Sequence, residues 1–62
     1  MQAEERRRAI LKTLRQSSRP ISAGQLAERF SVSRQVVVGD VALLRAAGAN
    51  ISATPRGYVI LK

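Results

Sequence analysis

Arginine is the side chain that offers this sequence most of its chemistry. Nine arginines and two lysines stand against four carboxylates, and the formal net charge is +7. A guanidinium group forms paired hydrogen bonds with phosphate oxygens and with the major-groove edge of guanine. A small and strongly basic chain is therefore typical of a protein that binds a polyanion. The charge by itself leaves DNA, RNA and an anionic membrane surface open.

Arg34 and Gln35 are the side chains best suited to reading bases. They follow Ser33, a residue type that begins helices, so both fall in the first turn of a predicted helix. There a guanidinium can pair with guanine and an amide can pair with adenine. The alternative interpretation is an ordinary pair of solvated first-turn residues.

Val38 and Gly39 follow on the same face of that helix. Val38 can contact a thymine methyl group, and Gly39 together with Ala42 leaves room for close approach to a groove. The alternatives are a packing role for Val38 and simple tolerance of a helix defect at Gly39.

Four further residues are candidates for contacts to a nucleic-acid backbone. Ser22 and Ser33 begin two predicted helices, whose free N–H groups can bind phosphates. Arg56, in a predicted turn, can reach a phosphate or the minor groove, or it can be a solvated turn residue. Arg45 can bind a phosphate or stabilise the C-terminal end of its helix.

Catalysis has no support in the residue types. Histidine and cysteine are absent, and there is no glycine-rich phosphate loop. The carboxylates are interpreted as helix-surface or capping charges, with Asp40 able to pair with a nearby arginine: Glu4, Glu5, Glu28 and Asp40. We expect a protein that is not an enzyme and a domain that binds no metal or cofactor.

The length of the apolar runs and the composition of the N-terminus indicate where in the cell the protein is located. No run approaches the ~20 apolar residues that a membrane span needs, and the first twelve residues contain no long apolar segment. The sequence therefore predicts a cytoplasmic protein. The basic run at residues 6–8 is expected to be a solvated face.

Apolar spacing and capping residues predict three helices. The first covers about Glu4–Ser17 and ends before Pro20. A capping box at Ser22–Gln25 begins a short second helix. The third helix runs from Arg34 to about Ala46.

A hairpin is predicted after the third helix. Ile51–Thr54 and Tyr58–Leu61 flank the turn Pro55–Gly57, and Pro20-Ile21 can add a short strand. The predicted fold is mostly α with a small β-hairpin, a three-helix winged helix-turn-helix that forms one domain over residues 1–62. In such a fold the second helix of the pair enters the major groove, so duplex DNA is favoured. RNA binding and a winged-helix protein-interaction module remain as alternatives.

The segments SVSRQVVV and ATPRGYVI resemble a family of bacterial regulators, the niacin-responsive repressors of NAD biosynthesis. The N-terminal domain of the bifunctional biotin ligase/repressors is similar in the same places. The resemblance covers nearly all of the chain and implies a dimeric transcription repressor that binds an operator. It also implies a C-terminal domain, beyond residue 62, that binds a nicotinic-acid-type co-repressor and a metal. It places Arg34, Gln35, Val38 and Gly39 on the recognition helix and Arg56 on the wing.

Overall fold

Three helices and one hairpin make up the fold. The computed structural model describes residues 1–61, and Lys62, the last residue of the predicted domain, lies outside the described residues. The elements, in chain order, are α1 (Ala3–Gln16), α2 (Ala23–Phe30), α3 (Arg34–Ala46), β1 (Ile51–Thr54) and β2 (Gly57–Ile60). The two strands pair antiparallel. The predicted fold class, a winged helix-turn-helix that is mostly helical, is confirmed, with α1 and β2 each lying one residue earlier than predicted.

Serine side chains set the starts of α2 and α3. The Ser22 hydroxyl accepts from the Gln25 backbone N–H at 3.1 Å, and the Gln25 side chain accepts from the Ser22 N–H at 3.0 Å. This is the capping box that the sequence predicts. Ser33 likewise accepts from the Val36 N–H at 3.2 Å. The turn between the two helices contains Ser31 in the left-handed conformation, with φ 56°.

The core is formed where the three helices and β1 meet. Its buried apolar side chains are Ile10, Leu14, Leu26, Ala27, Val37, Val41 and Ile51. Four valines and a glycine make α3 a weak helix in isolation. Packing of its inner face against α1, α2 and β1 therefore stabilises it and fixes its direction.

The hairpin, or wing, is attached to the residue that precedes α2. The Ile21 N–H donates to the Tyr58 carbonyl at 3.0 Å, and the Tyr58 N–H donates to the Ile21 carbonyl at 2.8 Å. The strand predicted at Pro20-Ile21 is thus reduced to an isolated bridge at Ile21, and Pro20 takes no part in it. Gly57 lies so close to the Ile21 backbone that an added Cβ would be 2.5 Å from the Ile21 carbonyl carbon. The wing and the start of α2 are thus held together.

A buried ion pair joins α1 to α3. Asp40 is 3 % exposed, and its carboxylate accepts from Arg6 Nε at 2.5 Å and from Arg6 Nη2 at 3.1 Å. Arg7 Nη1 lies 3.5 Å from Asp40 Oδ1. The interpretation of Asp40 as a helix-surface charge is wrong, although its predicted pairing with an arginine is confirmed. The prediction of a solvated basic face is also wrong for Arg6 and Arg7, which are half-buried because they turn toward this carboxylate.

Candidate nucleic-acid interface

The leading end of α3 projects two polar side chains into solvent. Arg34 and Gln35 are both exposed, and they stand immediately after the Ser33 cap. The Ser33 oxygen accepts from the Val36 N–H, which leaves its hydroxyl hydrogen available to donate. A donor fork, an amide and a hydroxyl are therefore presented together at one helix end.

The start of α2 lies beside this end of α3. A Cβ at Gly24 would lie 3.8 Å from Arg34 Nε and 3.9 Å from Ser22 Oγ. The Arg34 side chain thus lies across Gly24, close to the Ser22 cap. The structure brings Ser22 and Arg34 together although they lie twelve positions apart in the chain.

Arg56 lies at the tip of the wing, and Ser22 lies at its base. The turn is closed by Thr54, whose hydroxyl donates to the Gly57 carbonyl at 2.7 Å and accepts from the Arg56 N–H at 3.2 Å. Ser22 and Arg56 both line an open cleft of about 230 Å³ between the wing and the start of α2. The Arg56 side chain is exposed.

The middle of the outward face of α3, between its polar ends, is apolar and open. Val38 is 51 % exposed, and no atom lies within 4 Å of the position that a Cβ would take at Gly39. Ala42 is exposed next to them, and Arg45 is exposed in the last turn of the helix. Each of the eight predicted contact residues therefore lies at the surface or, for Ser22, in an open cleft. Their roles remain predictions.

The arrangement of two capped helices, a short turn and a wing is matched by a known family. A family model described as an HTH domain, for helix-turn-helix, matches residues 6–59. This chain belongs to the HTH domain family. The matched range includes α2, α3 and all but the last residue of the wing, the elements that present the predicted contact residues.

Two relatives of this HTH domain have names that describe regulators. The chain is 56 % identical over 57 residues to "Probable transcription repressor NiaR" of Thermotoga maritima, covering 92 % of this chain and 33 % of that protein. It is 45 % identical over 56 residues to "Transcription repressor NadR" of Bacillus subtilis, covering 90 % of this chain and 31 % of that protein. The predicted resemblance is thereby confirmed. The chain spans about a third of the length of the curated relatives it matches.

Three residues that shape the HTH domain were not singled out as positioning residues from the sequence. Gly24 lies beneath the Arg34 side chain, where an added Cβ would be in ordinary van der Waals contact with it, whereas Gly57 lets the wing touch Ile21. Asp40, on the inner side of α3, links this helix to α1 through its ion pair with Arg6. The side-chain hydrogen bond to Asp40 raises the pKa of Arg6 above its ordinary value, although burial acts in the opposite direction. An isolated glycine inside a helix start was the only sequence signal for Gly24.

Other kinds of site find little support in the described part of the chain. Residues 1–61 contain no group of three or more His, Cys, Asp or Glu side chains that could hold a metal ion. None of the helices within the same residues is long and apolar enough to cross a bilayer.

Most of the arginines are exposed: Arg8, Arg15, Arg19, Arg29, Arg34, Arg45 and Arg56.

Proposed function

We propose that this HTH domain binds duplex DNA in a sequence-specific manner, as the DNA-binding domain of a transcription repressor. One observation carries the proposal: the capped starts of α2 and α3 lie side by side, and Arg34 and Gln35 project from the second of them. In helix-turn-helix proteins the recognition helix reads bases near its N-terminus while the preceding helix crosses the backbone. The names of the two relatives support a repressor.

Base reading belongs to the outward side of α3. Arg34 pairs with guanine and Gln35 with adenine, because their donor and acceptor groups match those edges in the major groove. Val38 and Gly39 follow along the groove.

Contacts to the DNA backbone are made on either side of α3. Ser22 and Ser33 bind phosphates at the two helix starts, where free N–H groups also point outward. Arg45 binds a phosphate at the far end of α3, and Arg56 binds the flanking backbone or the minor groove.

The whole protein has features that we propose from the resemblance alone. It is a homodimer that joins two half-sites of an operator and acts in the cytoplasm. A C-terminal domain binds a nicotinic-acid-type co-repressor and a metal, and thereby controls DNA binding. This chain acts as the DNA-binding module of the regulator and carries out no reaction.

Binding of the chain to three polyanions tests the proposed function. A fluorescent duplex of random sequence, a structured RNA of equal length and anionic lipid vesicles are titrated at two salt concentrations. We expect the duplex to bind best, with a steep negative slope of log affinity against log salt, because bound arginines release condensed counterions. Equal affinity for the RNA would favour the RNA-binding alternative, and no binding to any of the three would favour a protein partner.

The residue assignments are tested on a duplex selected from a random pool. Arg34→Ala or Gln35→Ala is expected to cost roughly 1–3 kcal/mol and to relax the preference at one base pair. Arg56→Ala is expected to weaken all sequences about equally if it binds phosphate. Lys12→Ala, on the exposed side of α1, serves as the charge-matched control.

A further inference from the structure

The middle of α3 presents no exposed group that can form a hydrogen bond through its side chain. Between Val36 and Leu44 the only polar side chain is Asp40. That carboxylate is 3 % exposed, and it is bonded to Arg6 on the inner side. The exposed side chains between the polar ends of the helix are therefore aliphatic, and Gly39 adds an open stretch of backbone.

A surface of this kind limits which bases it can distinguish. In the major groove each base pair presents hydrogen-bond donors and acceptors, and the apolar group among them is the C5-methyl of thymine. Aliphatic side chains favour thymine over other bases in two ways. They make contact with its methyl group, and they leave the polar edges of other bases without hydrogen-bond partners. Val38 is the large exposed aliphatic side chain on the edge of α3 that also carries Arg34.

We infer that the DNA this chain selects places at least one thymine methyl against the surface formed by Val38, Gly39 and Ala42. This inference rests on the proposed function and specifies the class of sequence that it takes. Arg34 and Gln35 form hydrogen bonds with bases at one end of the half-site, and the thymine lies in the adjoining base pairs.

Replacement of thymine by deoxyuridine tests the inference, because uracil pairs identically and lacks only the methyl group. The 62-residue chain first selects a preferred duplex from a random pool at low salt. Each thymine of that duplex is then replaced in turn. At one position or more, the affinity is expected to fall about fourfold, the factor that corresponds to burying one methyl-sized group.

A variant connects the methyl effect to the surface. Val38→Ala removes an exposed side chain from a helix, so the fold is retained. In this variant the affinity ratio between the thymine and uracil duplexes is expected to move toward one. Leu61→Ala, which removes a comparably exposed side chain at 58 % elsewhere in the molecule, is expected to leave the ratio unchanged.

The outcomes separate the two levels of the claim. Failure of the chain to bind any duplex overturns the proposed function and the inference with it. Selective binding that no uracil replacement weakens overturns the inference and leaves the proposed function in place. A uracil effect that persists undiminished in Val38→Ala overturns the assignment of the methyl to this surface.

Discussion

Asp40, on α3, is a buried carboxylate that pairs with Arg6 and Arg7 of α1. Its contacts with Arg6 span 34 positions of the sequence. The pairing neutralises a negative charge behind the surface that we propose approaches phosphates, and it links α3 to α1. One residue therefore serves both the electrostatics and the geometry of the proposed interface.

Asp40→Asn tests the importance of this pair. Loss of the carboxylate leaves the Arg6 guanidinium half-buried without its counter-charge, and removal of one partner of a buried pair is strongly destabilising. We expect the free energy of unfolding to fall clearly, because Asp40 is 3 % exposed and Arg6 loses its counter-charge, although its access to water limits the loss. Urea unfolding followed by helical circular dichroism measures the change.

Glu4→Gln is the control for this substitution. Glu4 forms an exposed pair with Arg8 at 3.8 Å, and such pairs contribute little. An unfolding midpoint that falls as far in Glu4→Gln as in Asp40→Asn would show that net charge, not the buried contact, matters.

Gly39 is expected to separate stability from binding. Gly39→Ala places a methyl group in open space and improves helix propensity, so we expect the folded state to gain about 0.5–1 kcal/mol. The same methyl takes up space that the groove needs, so affinity for duplex DNA is expected to fall. Thermal melting and anisotropy titration measure the two effects. Unchanged affinity would mean that DNA does not approach the helix at Gly39.

At the scale of elements, the parts that the sequence predicted are those with local signals. The capping box at Ser22 is formed by residues three apart, and the α3 cap at Ser33 is equally local. Gly48 adopts φ 104° two residues beyond α3, at a position where helices often end with a glycine in a left-handed conformation. The inward direction of Asp40 depends on residues far away in the chain, so periodicity within α3 could not reveal it.

Ser31, in the turn between α2 and α3, is the one non-glycine residue among residues 1–61 with a positive φ. A side chain in the left-handed conformation costs about 1–2 kcal/mol, and glycine avoids most of that cost. Ser31→Gly is therefore expected to raise the melting temperature by several degrees, at roughly 4–8 °C per kcal/mol for a domain of this size. Ser18→Gly, outside any positive-φ position, is the control and is not expected to stabilise the domain.

Gly57 connects the wing to α2. In Gly57→Ala the new Cβ would overlap the Ile21 carbonyl, so the bridge to Tyr58 must open. We expect faster exchange of the Ile21 and Tyr58 amide protons and weaker DNA binding, because the wing no longer holds Arg56 in place. Adding Arg56→Ala to this variant is then expected to have little further effect.

Gly48→Ala is the matched control for the wing. Gly48 also has a positive φ, but no atom lies within 4 Å of its Cβ position. A backbone penalty without overlap should leave the bridge between Ile21 and Tyr58 closed. Equal loss of DNA binding in both variants would argue against a specific role of the wing contact.

For the whole molecule, the sequence predicted the fold and a set of exposed contact residues but not how they are grouped. Net charge and residue types indicated a polyanion, and the order of elements indicated a winged helix-turn-helix. The proximity of Ser22, Arg34 and Arg56 results from packing of α2 against α3 and from the Ile21 bridge. A molecule of 27 × 22 × 18 Å contains one helix that we propose reads bases, and one such helix suits one half-site.

The most direct test of the account is a map of backbone amide shifts in the chain as a selected duplex is added. We predict the largest changes at residues 33–39, at residues 22–25 and around Arg56 in the wing, with small changes along α1. Shifts concentrated on α1, with the start of α3 unaffected, would contradict the assignment of α3 as the element that reads DNA.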